Sequence, residues 1–188
     1  LEYEVHPINI AKDEQFAPDF LKIAPNNRIP AIVDRDNNFS LFESGAILMY
    51  LAEKTGKFWP QDHDGKWRTM EWLMWQMGGV GPMIGQAHHF IKNNKGVSEY
   101  SEDRYLNESK RLYGVLDRRL ADSKFMAGSD YTIADFATWP WISRFEWHTV
   151  DITEFPNVLR WYKDIAARPA VEKGYHIPVH QPDGIPMP

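Results

Sequence analysis

The sequence contains no cysteine, no long apolar run and no excess of positive charge. Without cysteine the chain forms no disulfide, which is usual in a reducing compartment, so we expect a cytoplasmic protein. No apolar stretch approaches the roughly 18 residues of a transmembrane helix, and no signal peptide is visible. A formal net charge of −5 argues against nucleic acid as a partner. These absences favour a soluble protein but do not indicate what it does.

The composition indicates that the chain can bury a sizeable core. Of its 188 residues, 43% are hydrophobic and 14% are aromatic. That length allows one large domain or two small ones. The order of apolar positions along the chain therefore has to decide between these possibilities.

One segment, residues 25–56, combines a predicted β-hairpin with a predicted helix. Residues 31–33 are apolar and β-branched at two positions, which favours a strand. Residues 34–38 form a charged, Asn-rich turn, and the alternation of residues 39–42 predicts the partner strand. A helix follows with Glu43 and Ser44 at its start, and Gly56 is typical of a C-terminal stop.

Two features of this segment suit a peptide-like ligand. We expect a cis bond between Ile29 and Pro30, which would expose the backbone of Ile29 to a partner other than the sheet. Ser44 and the N–H groups at the helix start suit a carboxylate, while Glu43 suits an amine. Together they would bind the zwitterionic end of an amino acid or peptide. The structural alternative is that Ser44 only caps the helix and Glu43 favours its dipole.

Several motifs in and around this segment resemble those of one known family. They are Gln15-Phe16, Phe20-Leu21, Pro25-Asn26-Asn27-Arg28-Ile29-Pro30, Ala31-Ile32-Val33, Glu43-Ser44-Gly45-Ala46-Ile47-Leu48 and Trp75-Gln76-Met77-Gly78-Gly79-Val80-Gly81-Pro82-Met83. The segment 25–56 resembles the thioredoxin-like half of the glutathione S-transferases, and the resemblance extends over nearly the whole chain, to about Val171. More narrowly it is to the nu class, bacterial glutathione-dependent disulfide-bond oxidoreductases related to a fungal prion-type nitrogen regulator.

The resemblance implies glutathione as a co-substrate, without a metal. In the family the cis-proline loop pairs with the cysteinyl backbone of glutathione, and the acidic-Ser pair holds its γ-glutamyl end. The implied glutathione-binding residues are Gln15, Arg28, Ile29, Pro30, Glu43, Ser44 and Arg104. Gln15 is otherwise an ordinary exposed loop residue, and Arg28 is otherwise surface charge. Arg104, which would reach glutathione in the neighbouring subunit, is otherwise a solvent arginine paired with Glu108 at i,i+4.

The resemblance also implies a thioredoxin-like α/β domain followed by an all-α domain. We place these at residues 1–56 and 65–170, with a linker at 57–64 and an extended tail at 171–188. Residues 1–10 are interpreted as a strand that runs into a loop. Family members have a strand and a helix before it, and that strand lies inside the sheet, so we expect the chain to be a fragment. In the family the residue that activates the glutathione thiol lies in that earlier segment, so the activating residue is unknown here.

The remaining chain has helical periodicity. From Lys66 the sequence predicts an amphipathic helix, and the Gly78–Pro82 stretch predicts a kink with close backbone approach rather than a phosphate loop. His88 and His89 point about 100° apart on a helix and have no third ligand at metal-like spacing, so we expect no zinc site. Further predicted features are the helix of residues 101–120, with Tyr105, Leu112, Leu116 and Leu120 inward, the capping box Thr132–Asp135, and the helix that begins at Phe155-Pro156.

Two chemistries follow from the resemblance. In one, the glutathione thiolate attacks a small electrophile, and in the other it reduces a disulfide, with oxidised glutathione as substrate or product. The nu-like motifs favour the second. The alternative is a non-catalytic dimerisation or scaffold module, since this fold also serves that purpose. The resemblance also implies a homodimer. The sequence adds a reason, because Trp67, Trp72, Trp75 and the methionines between them spread over more than one helix face.

Overall fold

A computed structural model describes all residues, 1–188, as a small α/β unit followed by a helical unit. The antiparallel strands are β1 (Ala31–Asp34) and β2 (Phe39–Phe42). The α-helices are α1 (Pro18–Ile23), α2 (Ser44–Thr55), α3 (His63–Trp75), α4 (Gly81–Ala87), α5 (Glu99–Ala121), α6 (Ile133–Ile142), α7 (Pro156–Ala166) and α8 (Pro169–Tyr175). Short 3₁₀ helices cover Ile10–Lys12, Glu14–Phe16, Phe145–His148 and Ile152–Glu154. The predicted α/β unit and all-α unit are thus confirmed.

The first nine residues form no strand, and that prediction is wrong. β1 pairs with β2 alone, so no neighbouring strand offers these residues a ladder. An extended segment becomes a strand only when its backbone N–H and C=O groups are paired. Leu1, Tyr3 and Val5 accordingly remain exposed.

The hairpin and α2 form as predicted, and polar side chains fasten one to the other. Asp34, at the end of β1, accepts hydrogen bonds from the Tyr50 hydroxyl at 2.6 Å and from Lys54 Nζ at 2.5 Å. The hydrogen bond from Lys54 is the main reason why the pKa of Asp34 falls to about 2. Gly56 ends α2 with a positive φ of 65°, the conformation that favours glycine at this position.

Residues 63–93 form one helical run in which two π-helical stretches, Gln76–Val80 and His88–Asn93, flank α4. The predicted kink at Gly78–Pro82 therefore takes the form of a π-bulge, and Pro82 occupies the first turn of α4, where a missing N–H is tolerated. The predicted close approach is also present. A Cβ at Gly81 or Gly85 would lie 3.5 or 3.7 Å from the Trp141 ring.

The main core lies among α4, α5, α6 and α7. Its fully buried large side chains include Leu112, Tyr113, Leu116, Ile142, Trp161, Tyr162 and Ile165. The predicted capping box opens α6, where Asp135 accepts from the Thr132 N–H at 3.0 Å. Asp135 also accepts from the Trp161 indole at 2.8 Å, so one buried carboxylate joins α6 to α7.

Two predicted boundaries differ from the structure. α3 begins at His63, because Asp62 caps it by accepting from the Gly65 N–H at 2.8 Å, so the linker ends at Asp62. The tail is not extended from residue 171, since α8 continues to Tyr175. Its last residues are held against the core by a hydrogen bond of 2.5 Å from the Tyr162 hydroxyl to the Pro186 carbonyl. None of the helices combines the length and the apolar character needed to cross a membrane.

Candidate functional site

The hairpin register brings the two predicted ligand-binding features together. Ala31 pairs with Phe42 at one end of the ladder, so Pro30 and Glu43 each follow directly from that end. The Ile29-Pro30 peptide bond is cis, as predicted. Ile29 is 51% exposed, and its backbone N–H and C=O make no hydrogen bond within the chain. Unpaired main-chain groups therefore face solvent beside the start of α2.

Glu43 has a backbone conformation that is uncommon for a residue with a side chain. Its φ is 72° and its ψ is 113°, and such outliers cluster at binding and active sites. Its carbonyl accepts from the Ile47 N–H at 2.9 Å, so Glu43 is the N-cap residue of α2, but its exposed carboxylate makes no hydrogen bond. The structural alternative, in which Ser44 caps α2, is wrong because Ser44 is already the first helical residue.

The start of α2 also presents free donors. The first N–H groups of a helix have no intrahelical acceptor, and they carry the positive end of the helix dipole. The Ser44 hydroxyl donates only to the Met77 sulfur, at 3.8 Å, and a thioether is a weak acceptor. Sequence reasoning missed this contact, because Ser44 and Met77 lie 33 residues apart and no local pattern gives a signal for it.

Gln15 is buried beside the same loop. Its side chain is 7% exposed and its Oε1 has no hydrogen-bond partner. Its backbone carbonyl accepts from Asn27 Nδ2 at 3.3 Å, which fixes it next to the segment that precedes Pro30. The interpretation of Gln15 as an exposed loop residue is therefore wrong.

Arg28 and Arg104 are both exposed and form no ion pair. The predicted pairing of Arg104 with Glu108 does not occur, because Glu108 bonds to Arg111 at 2.7 and 2.8 Å. The hydrogen bond from Arg111 is the main reason why the pKa of Glu108 is lowered. Arg104 lines a separate groove of about 590 Å³, together with Met83, Tyr100 and Tyr105. No hydrogen bond or ion pair connects it to the loop at Pro30.

The histidine of greatest interest is His148, which the sequence did not single out. Its Nε2 lies 2.9 Å from the Tyr113 hydroxyl and its Nδ1 lies 3.0 Å from His88 Nε2. Burial lowers the pKa of His148 to about 3 and that of His88 to about 4, with smaller contributions to His88 from Lys92 and Arg144. Both rings are therefore neutral near pH 7, and they lie in the helical unit, away from the site at α2.

The family models that match are the glutathione S-transferase N-terminal domain, over residues 1–53, and the C-terminal domain, over residues 80–169. The chain belongs to the glutathione S-transferase family. It is 45% identical over 175 residues to the disulfide-bond oxidoreductase YfcG of Escherichia coli K12, a match that covers 90% of this chain and 81% of that protein.

Two solved structures resemble the chain over most of its length. A glutathione transferase from Burkholderia graminis, with two glutathione molecules bound per subunit, is 43% identical with a TM-score of 0.88 and covers 95% of this chain and 79% of its own. A glutathione transferase from Pseudomonas putida, with one glutathione disulfide per subunit, is also 43% identical with a TM-score of 0.88. That match covers 95% of this chain and 82% of the other.

Proposed function

We propose that this protein is an enzyme that binds glutathione between the loop at Ile29-Pro30 and the start of α2, and that it uses the glutathione thiolate in disulfide exchange. The observation that carries the proposal is the register of the hairpin, which places Pro30 and Glu43 at the same end of the ladder. The similarity to YfcG, a disulfide-bond oxidoreductase, supports the choice of reaction. The Pseudomonas putida structure with bound glutathione disulfide supports the same choice.

Each part of glutathione has a matching group in this arrangement. The unpaired N–H and C=O of Ile29 would pair with the cysteinyl backbone, as the edge of a sheet pairs with a strand. Ser44 and the free N–H groups of α2 would bind the γ-glutamyl carboxylate, and Glu43 its ammonium. Gln15 and Arg28 flank the same loop, and Arg28 would bind the glycyl carboxylate.

The reaction needs no cysteine in the chain, because glutathione supplies the sulfur. A glutathione thiolate attacks one sulfur of the disulfide, forms a mixed disulfide and releases the other sulfur as a thiolate that takes up a proton. A second glutathione thiolate then attacks the glutathione sulfur of the mixed disulfide. This step yields oxidised glutathione and releases the second substrate thiol. Hydrogen-bond donors and a helix N-terminus favour the thiolate, but no residue here is assigned as the activating group.

Conjugation to a small electrophile is the second candidate reaction, since the same thiolate is the nucleophile. A scaffold module is less well supported, because it has no need of unpaired backbone groups at Ile29 or of the unusual conformation at Glu43. Turnover with a small organic disulfide, compared with an aryl halide, distinguishes the two reactions. Absence of both turnover and glutathione binding would favour the scaffold. Membership of the nu class, the homodimer and the cytoplasmic location remain predictions.

The first test is the substitution Glu43→Ala. We expect glutathione binding to weaken by about 1.5–3 kcal/mol, the usual contribution of a hydrogen bond to a charged group, as measured by calorimetric titration. Glu53→Ala is the matched control, because Glu53 is an exposed residue of the same helix whose side chain makes no hydrogen bond. Unchanged affinity for glutathione in a folded Glu43→Ala variant would show that Glu43 is not part of the binding site.

A further inference from the structure

Met77 joins the helical unit to the start of α2. Its Sδ accepts the hydrogen bond from Ser44 Oγ at 3.8 Å. A Cβ placed on Gly45 would lie 3.1 Å from both Sδ and Cγ of Met77, so the sulfur packs tightly against the first turn of the helix. On its other side Met77 packs against the small cluster of Ala52, Leu73 and Ile133.

We propose that Met77 is a site of reversible oxidation, and that its sulfoxide lowers the affinity of the protein for glutathione. The inference rests on the proposed function, because it concerns the same glutathione site. As a thioether, Met77 is a weak acceptor, which leaves the Ser44 hydroxyl available to a ligand carboxylate. A sulfoxide is polar and carries an oxygen that accepts hydrogen bonds strongly.

The added oxygen acts at the start of α2 in two ways. On the side of Ser44 it lies within hydrogen-bonding reach of Oγ and competes with the carboxylate for that donor. On the side of Gly45 it has no room, because the sulfur is already in close contact with the helix. Relief of that contact moves the first turn of α2 away from the loop at Pro30, and the two halves of the site no longer face one ligand.

The oxidant is a hydroperoxide, and the step balances without a metal. The thioether sulfur attacks one peroxide oxygen, the O–O bond breaks and an S–O bond forms. The sulfur is oxidised by two electrons. The second peroxide oxygen takes up the proton of the first and leaves as water from hydrogen peroxide, or as an alcohol from an organic hydroperoxide. Met77 is partly exposed, whereas Met126 is fully buried, so Met77 is the more accessible of the two to a small peroxide.

The test compares glutathione affinity before and after treatment with hydrogen peroxide, with peptide mapping to locate added oxygen. Wild-type protein should bind glutathione about tenfold more weakly after oxidation of Met77, the equivalent of one lost hydrogen bond to a charged group. Met77→Leu keeps the volume of the side chain without an oxidisable sulfur, and its affinity should not change on treatment. Met74→Leu is the matched control, because Met74 is 46% exposed on the preceding turn and makes no hydrogen bond with Ser44.

Two further measurements test the proposal even if Met77→Leu folds poorly. Met77→Gln, which introduces a polar acceptor, should weaken binding without peroxide. Methionine sulfoxide reductase should restore the affinity of oxidised wild-type protein as the oxygen is lost from Met77. The proposal is overturned if oxidised Met77 leaves affinity unchanged, if Met77→Leu loses affinity as wild type does, or if Met74 is oxidised while Met77 is not. Failure of the untreated wild-type protein to bind glutathione would instead overturn the proposed function.

Discussion

At Gln15 a polar side chain is buried without a partner for its carbonyl oxygen. Such a group costs free energy in the folded chain, because it has left water and gained no hydrogen bond. Gln15 lies next to Asn27, which belongs to the loop that leads to Pro30. A ligand bound at this loop that donates a hydrogen bond to the Gln15 oxygen would offset that cost. The backbone groups of Ile29 are also unpaired within the chain, but Ile29 is exposed, so water can satisfy them.

Replacement of Gln15 by methionine tests this reasoning at a single residue. The variant removes the unpaired oxygen while it keeps the length of the side chain. We expect glutathione binding to weaken by about 1 kcal/mol, the contribution of one neutral hydrogen bond, whereas the free energy of unfolding stays equal or rises. Titration calorimetry and urea denaturation measure the two quantities. Gln86→Met, at an exposed residue of α4, is the control, and equal binding by both variants would assign Gln15 a purely structural role.

Single residues were predictable where their environment is local. Glu43 and Ser44 follow one strand and begin one helix, so their position at a helix N-terminus could be derived from adjacent residues. The burial of Gln15 could not, since the contacts of its loop include residues far along the chain, such as Asn27, twelve residues further on. The partner of Glu108 could not be predicted either. Arg104 and Arg111 both lie at helical spacing from it, and only the side-chain geometry decides between them.

Among the elements, the hairpin with α2 was predictable and the first nine residues were not. Alternation within residues 39–42 and the polar turn before them are sufficient to specify a hairpin, because both strands lie in one short segment. A strand at residues 1–9 would need a distant partner, which the apolar pattern cannot supply. The π-helical stretches were also missed, since one extra residue per turn does not change the kinds of residues that face the core.

The link between α5, the π-helical stretch at residues 88–93 and the 3₁₀ helix at 145–148 is sensitive to acid. Tyr113, His88 and His148 contribute one side chain each. Lys92 and Arg144 stand near His88, and Glu146 is the acidic residue of the 145–148 turn. In the folded protein the two histidine pKa values, about 4 and about 3, lie below the ordinary value of 6.5. The stability that the two histidines contribute as neutral, hydrogen-bonded rings is therefore fully present above pH 6.5, and it is lost as the pH falls towards 4.

We therefore expect the melting temperature of the wild-type protein to decrease between pH 7 and pH 4. In His148→Gln the decrease should be smaller, although stability at pH 7 is lower because a buried ring is lost. His63→Gln is the control, since His63 is exposed and its profile should follow wild type. Thermal unfolding across this pH range measures the effect. A profile of His148→Gln that is parallel to wild type would assign the acid sensitivity to other groups.

On the scale of the whole molecule, α3 has two apolar sides and only one of them is covered. Trp72 and Trp75 pack against the main core, and α3 contacts α6. Trp67 and Met74, seven residues apart on one face, are 58% and 46% exposed. Apolar side chains grouped in this way are typical of an interface, and a symmetric dimer is the commonest arrangement that covers such a face. The predicted homodimer thus has a candidate surface.

In a dimer joined through this face, Arg104 could reach the glutathione bound in the neighbouring subunit, a role that it does not have in the single chain. Arg104 has no carboxylate partner within its own chain, and its groove on α5 lacks any connection to the loop at Pro30. We expect sedimentation to show a dimer at micromolar concentration. Trp67→Glu should dissociate it, while Trp147→Glu, at an exposed tryptophan of the 145–148 turn, should not.

Arg104→Ala should weaken glutathione binding by about 1.5–3 kcal/mol without loss of the dimer. Lys110→Ala, at an exposed residue of the same helix, should leave glutathione binding unchanged. The Arg104→Ala substitution is then made in the dimeric wild type and in the dissociated Trp67→Glu variant. If it weakens glutathione binding only in the dimer, Arg104 acts across the interface. If it weakens binding equally in both, Arg104 acts within its own chain. A wild-type monomer would leave the exposed face of α3 without this explanation.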